Sequence, residues 1–204
     1  VGELIQISTG DLTAAINPLG AELTSLRDAQ DRELMTDADP AFWTGHAPIL
    51  FPIVGRLNGD VLRLDGRTYP MQQHGFARRQ RFEVVARDDA SVRFRLAAND
   101  ATRACYPFDF VLEVTFTLRQ ATLAIDVTIA NRGTAPMPAS IGFHPAFAWP
   151  LPYGEPRAGH RIVFGADEPG AIVELQDGLF AASRRPSPLD ARTLHLTDAL
   201  FADD

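Results

Sequence analysis

The chain has 204 residues, 46% of them hydrophobic, which is enough for a sizeable core in one large β domain or two small ones. Its net charge is −7, and its 19 arginines, with no lysine, are scattered rather than clustered, which argues against a nucleic-acid partner. No apolar run nears the roughly 18 residues of a membrane span, no secretory leader is visible, and the lone Cys105 has no intrachain disulfide partner, so a cytoplasmic protein without membrane contact is expected.

In chain order, Leu4–Ser8, Leu12–Asn17 and Glu22–Arg27 read as three short strands. Asp39–Gly45 reads as a short helical turn, with Asp39 as its cap before Pro40. The apolar run Ile49–Val54 reads as a core strand. Val61–Leu64 and Thr68–Met71 flank Asp65-Gly66, a strong hairpin signal. Arg81–Arg87 and Ser91–Leu96 flank Asp88-Asp89-Ala90 in the same way. The clearest period of two follows. Phe110, Leu112, Val114, Phe116 and Leu118 alternate with more polar positions, and after a turn Leu123, Ile125, Val127 and Ile129 do the same. That is the pattern of two antiparallel strands with one buried face. Pro138–Ile141 is strand-like, and residues 150–160, rich in proline and glycine, form a loop. Strands resume at Arg161–Phe164 and Ala171–Leu175. Arg184–Pro188 is irregular, and Leu194-His195-Leu196 looks like a last strand. The sum is an all-β fold, a large antiparallel β-sandwich with hairpin connections, read as a single domain over residues 1–204.

Two histidine motifs carry most of the chemistry. The first is Gln73-His74-Gly75-Phe76-Ala77-Arg78, and the second is Gly142-Phe143-His144-Pro145-Ala146-Phe147. Glycine and proline fix the local backbone, and the aromatics can wall a pocket. Imidazole exchanges protons near neutral pH, so the pair points to acid–base chemistry on a small polar substrate. Each histidine reads equally as a structural residue bonded to backbone. Arg56, after the Ile49–Val54 run, and Arg78 read either as guanidinium forks for sugar hydroxyls or phosphate, or as surface arginines. His46, His160 and His195 have no motif around them. No His-x-His pair, His-Glu-x-x-His helix or cysteine pair is present, so no metal is expected. No glycine-rich phosphate loop implies a nucleotide cofactor, and Ser140 lacks a nucleophile elbow.

Taken together, Asn17-Pro18-Leu19-Gly20-Ala21-Glu22-Leu23, Pro52-Ile53-Val54-Gly55-Arg56, Leu64-Asp65-Gly66 and the two histidine motifs, in this order and spacing, resemble the aldose 1-epimerases, or mutarotases, and their hexose-phosphate relatives. The resemblance implies a large twisted β-sandwich that interconverts the α and β anomers of a hexose or hexose phosphate, with no cofactor. It matches His144 to the family's acid, His74 to its second histidine and Arg56 to its sugar-binding arginine. Arg78 matches an arginine of the sugar-phosphate branch, and Asp203 a substrate-binding aspartate. The family's base is a glutamate near the C-terminus of a longer chain. Glu168, in Asp167-Glu168-Pro169-Gly170, comes too soon after His144 to be it, so the sandwich is expected to be incomplete at its C-terminal end. A noncatalytic carbohydrate-binding protein on the same scaffold is the alternative.

Overall fold

A computed structural model describes residues 3–202. Asp203 therefore lies outside the described residues. The fold is all-β: fifteen strands are described, against one short α-helix and a few 3-10 turns. The chain divides after Phe147 into two compact units.

The first unit is built on two antiparallel sheets. One has three strands, β1 (Ile5–Ser8), β2 (Leu12–Asn17) and β3 (Glu22–Asp28), paired in chain order. A small antiparallel pair couples β4 (Ile49–Leu50) to β11 (Gly142–Phe143), and β5 (Val61–Leu64) forms a hairpin with β6 (Arg67–Pro70). Asp65 and Gly66 both take left-handed backbone, as the tight turn requires. The second sheet has four strands in the order β10-β9-β8-β7: β7 (Glu83–Arg87), β8 (Ser91–Ala97), β9 (Phe110–Arg119) and β10 (Thr122–Asn131).

The period of two does what it predicts. Phe110, Leu112, Val114, Phe116 and Leu118 of β9 are buried, beside Val92, Phe94 and Leu96 of β8. They share one core with Ile7, Leu12, Ala14, Ile16, Leu23 and Leu26 of the three-stranded sheet, which makes this unit a sandwich. The register sets Leu118 against Leu123, Phe116 against Ile125, Val114 against Val127 and Leu112 against Ile129, so the whole apolar row of β10 falls on the inner face.

Four stretches differ from the sequence reading. Asp39 does cap a turn, but the turn is single and does not run on to Gly45: the Asp39 carbonyl accepts from the N–H groups of Phe42 and Trp43, and its carboxylate from Ala41. The Ile49–Val54 run is strand only over two residues. It leaves the ladder at Phe51, whose carbonyl bonds to the chain after His74 instead. Strand pairing before His144 falls on Gly142–Phe143 rather than Pro138–Ile141. The stretch before Cys105, given no element from the sequence, forms a short helix, α1 (Asp100–Arg103). Asn99 and Thr102 close that helix reciprocally as a capping box.

The second unit pairs β12 (Arg161–Val163) with β15 (Thr193–His195), and β13 (Ile172–Gln176) with β14 (Leu179–Arg185). The stretch read as irregular from Arg184 is thus still strand at Arg184 and Arg185. The Asp177-Gly178 turn folds it back onto β13. Trp149 donates through Nε1 to the Arg157 carbonyl, and the Arg157 guanidinium lies 3.7 Å from the ring centroid, a cation–π contact closed by an ion pair to Asp198.

Candidate active site

Two backbone accommodations bring the histidines together. His74 and Gly75 take left-handed conformations in succession, with φ of +64° and +69°. Such a turn is uncommon for histidine, and at Gly75 a side chain is excluded outright: a Cβ would run into the Phe51 carbonyl. That carbonyl accepts from both Phe76 N and Ala77 N, at 2.9 and 3.2 Å. The His74 motif is thereby wrapped around the end of β4. Underneath lies an aromatic cluster, Phe51, Phe76, Tyr106 and Phe110, whose ring centroids are 5.3 to 6.1 Å apart.

His144 arrives on the other partner of β4. β11 pairs Gly142 with Leu50 and Phe143 with Ile49, so the residue after the strand emerges beside the His74 turn. Tyr106, 1% exposed, donates its hydroxyl to the Pro138 carbonyl at 2.8 Å and fixes the approach to that strand. Burial pushes the Tyr106 hydroxyl pKa up to about 12, so it stays a donor. Beyond His144, Ala146 is held on both sides: its N–H donates to His46 O at 2.7 Å, and its carbonyl accepts from Thr36 N at 2.9 Å.

The two imidazole rings lie 6.5 Å apart between centroids, with planes 26° from parallel. Trp43 meets His144 at right angles, 4.9 Å away. The His74 ring is more defined than the motif alone implies. Its Nδ1 accepts the Gly55 N–H at 3.0 Å, while the His74 N–H donates to Gly55 O at 2.8 Å. With Nδ1 occupied as an acceptor, the neutral ring carries its proton on Nε2 and is a fixed hydrogen-bond donor. Burial, together with the charges of Arg78, His144 and Arg79, lowers the His74 pKa below 6.5, which favours that neutral donor.

The arginines differ. Arg78 sits half-buried in a 3-10 turn, Ala77–Arg79, and its Nη2 donates to Gln73 O at 3.2 Å. Burial and Arg79 lower its pKa, while the Glu22 carboxylate opposes the shift. Arg56 follows Gly55 directly, but its guanidinium forks onto Asp60, with Nε to Oδ1 at 2.8 Å and Nη2 to Oδ2 at 2.7 Å. It belongs to a loop ion pair rather than to the end of a core strand. An apolar cavity of about 450 Å³ opens beside His144, walled by Leu23, Leu26, Ile49, Phe116, Phe143 and Phe147 among others.

Sequence reasoning missed three contributors: Trp43 against His144, Gly55 against His74, and Glu22, whose Oε1 accepts from His46 N and Ala47 N. Only the Trp43-x-Gly45 spacing was a usable local signal, because the tryptophan ring folds back over a residue without a side chain.

The family model described as aldose 1-epimerase matches residues 3–172. This chain belongs to the aldose 1-epimerase family. It is 32% identical over 215 residues to the chromosomal protein LacX of Lactococcus lactis subsp. lactis, a match that covers 98% of this chain and 70% of LacX. A galactose mutarotase related enzyme from Lactobacillus acidophilus superposes with a TM-score of 0.89 at 34% identity, covering 99% of this chain and 68% of that one. A galactose mutarotase-like protein from Lactobacillus casei gives 0.86 at 34% identity, covering 97% and 69%. Both histidines and both arginines of the candidate site fall inside the family-matched residues.

Proposed function

We propose that the chain interconverts the α and β anomers of a hexose by acid–base opening and closure of the sugar ring. In this reading His144 protonates the ring oxygen as the bond from C1 to that oxygen breaks. A base takes the proton of the anomeric hydroxyl, and its O–H electrons become the carbonyl of the open sugar. Rotation about the C1–C2 bond and reclosure give the other anomer. His74, a donor through Nε2, and Arg56 hold the sugar, and Arg78 meets a substituent distant from C1, a phosphate where the sugar carries one. The base is the family's C-terminal glutamate, for which no residue of this chain is assigned.

The observation that carries the reading is the facing His74–His144 pair, 6.5 Å apart, with His74 locked as a donor. The test is equilibration of freshly dissolved α-glucose and α-galactose followed by polarimetry. Acceleration over buffer is expected, and His144→Asn should lower kcat by about 10²- to 10⁴-fold, far more than it raises KM. An unchanged kcat in His144→Asn removes the acid role. The cavity of about 450 Å³ beside His144 also accommodates a second reading, noncatalytic carbohydrate binding. Calorimetric sugar binding without accelerated equilibration would establish it.

A further inference from the structure

His144 poses a problem of orientation. The residue is exposed, and among the described residues no hydrogen-bond partner reaches either of its ring nitrogens. An acid must nevertheless meet its acceptor within a narrow range of distance and angle. The side chain packed directly on the His144 ring is Trp43, edge to face at 4.9 Å.

Trp43 is itself held with unusual care for a residue on a loop. Before it, the Asp39 carbonyl accepts from Trp43 N at 3.0 Å. After it, Gly45 leaves room for the indole to fold back: a Cβ there would lie 2.5 Å from Trp43 Cζ2. Next in the chain, Glu22 at the start of β3 accepts two backbone N–H groups through one oxygen, His46 N at 2.8 Å and Ala47 N at 3.0 Å. Bonds to an ionised carboxylate are among the stronger ones available to a loop. The clamped residue His46 then accepts from Ala146 N, two residues beyond His144. The tryptophan segment and the His144 segment are thus tied to each other and, through Glu22, to the three-stranded sheet.

We propose that Trp43 is a positioning residue for His144, held in register by the clamp that Glu22 makes on the backbone of His46 and Ala47. The proposal rests on the reading of His144 as the acid, but its geometry can be tested apart from that reading.

The test combines kinetics with proton NMR of the His144 ring, whose resonances are assigned by their loss in His144→Asn. Trp43→Ala should lower kcat by about 100-fold, the scale of a misplacement near 1 Å, with KM changed by less than about threefold. It should also shift the His144 ring resonances, because the indole ring current is gone. Gly45→Ala, which displaces the indole, should reproduce both effects. Glu22→Ala should lower kcat by about tenfold and shift the His144 ring resonances, though less far than Trp43→Ala does. Glu22→Gln keeps the carbonyl acceptor and should recover most of that loss. Trp43→Phe keeps a smaller ring, should fall between wild type and alanine, and serves where Trp43→Ala does not fold.

An unmoved His144 resonance in Trp43→Ala overturns the proposal. So does Glu22→Gln as impaired as Glu22→Ala, since charge rather than the clamp would then matter. A wild-type chain without epimerase activity would instead defeat the proposed function, and the resonance shifts in Trp43→Ala, Gly45→Ala and the Glu22 pair would still decide the positioning role.

Discussion

At the scale of single residues, the local backbone selects what a side chain can do. His74 could titrate like any exposed imidazole. Instead Gly55 donates to its Nδ1, and the ring becomes a neutral donor. Arg56 could reach out as a fork, but Asp60, four residues on, takes two of its donors. Arg78 lies near enough to His74 to lower its pKa and has a single described bond, to a backbone carbonyl. It is the better candidate for a distant anionic substituent. If the substrate is a hexose 6-phosphate, Arg78→Ala should weaken its binding by about 2 kcal/mol, the scale of a charge-assisted hydrogen bond, and leave free glucose almost unchanged. Titration calorimetry of both sugars against wild type and variant reads this directly. Equal losses for the two would return Arg78 to a structural role.

At the scale of elements, what was legible in the sequence was local. The Phe110–Leu118 alternation and the Asp65-Gly66 turn each encode their strand pair within a few residues, and both appear with the expected pairing. Local signals that went unread were also there: Asn99 three residues before Thr102 for α1, and Asp177-Gly178 for the β13–β14 hairpin. The β4–β11 pair is of another kind. It joins residues some ninety positions apart, four residues in all, and nothing within Ile49–Leu50 specifies Gly142–Phe143 as its partner. The histidine motifs were visible as motifs, but their meeting, and Trp43 beside them, depends on that long-range pair. The Tyr106 hydroxyl on Pro138 O is one bond that holds the approach. Tyr106→Phe removes the hydrogen bond that a fully buried ring makes to an exposed carbonyl, and should cost about 1 kcal/mol. In a chain of this size that is a fall in Tm of roughly 2 to 4 °C. Chemical denaturation with an unchanged m-value would confirm it. A change under about 0.3 kcal/mol would mean that water replaces the bond.

At the scale of the whole molecule, the titrating groups make acid act in two stages. His74 binds its proton more weakly in the folded state than at its ordinary 6.5, chiefly because burial disfavours the cation and Arg78 repels it. Below 6.5 the unfolded chain therefore takes up a proton that the folded chain resists. Stability falls as pH drops from 6.5 through the folded value. The carboxylates come next. Burial tends to raise Glu33, but hydrogen bonds from Ser25, Leu26 N, Met35 N and Arg27 outweigh it and hold the group below its ordinary 4.5. Asp28 is likewise held below 3.8 by bonds from Arg32 and Gln30 that exceed its desolvation, and Asp60 by its bond to Arg56. Their stabilisation is present above those ordinary values and is lost as pH falls through the folded ones. Thermal melts between pH 8 and 3 should show an initial decline of Tm starting near 6.5 and a second starting below about 4.5. His74→Asn should flatten the first decline and leave the second, since asparagine carries no proton to refuse. Glu33→Gln should do the reverse. A wild-type Tm that stays level from pH 7 to 5, or a His74→Asn variant with an undiminished first decline, would show that the folded ring binds its proton as readily as the unfolded one.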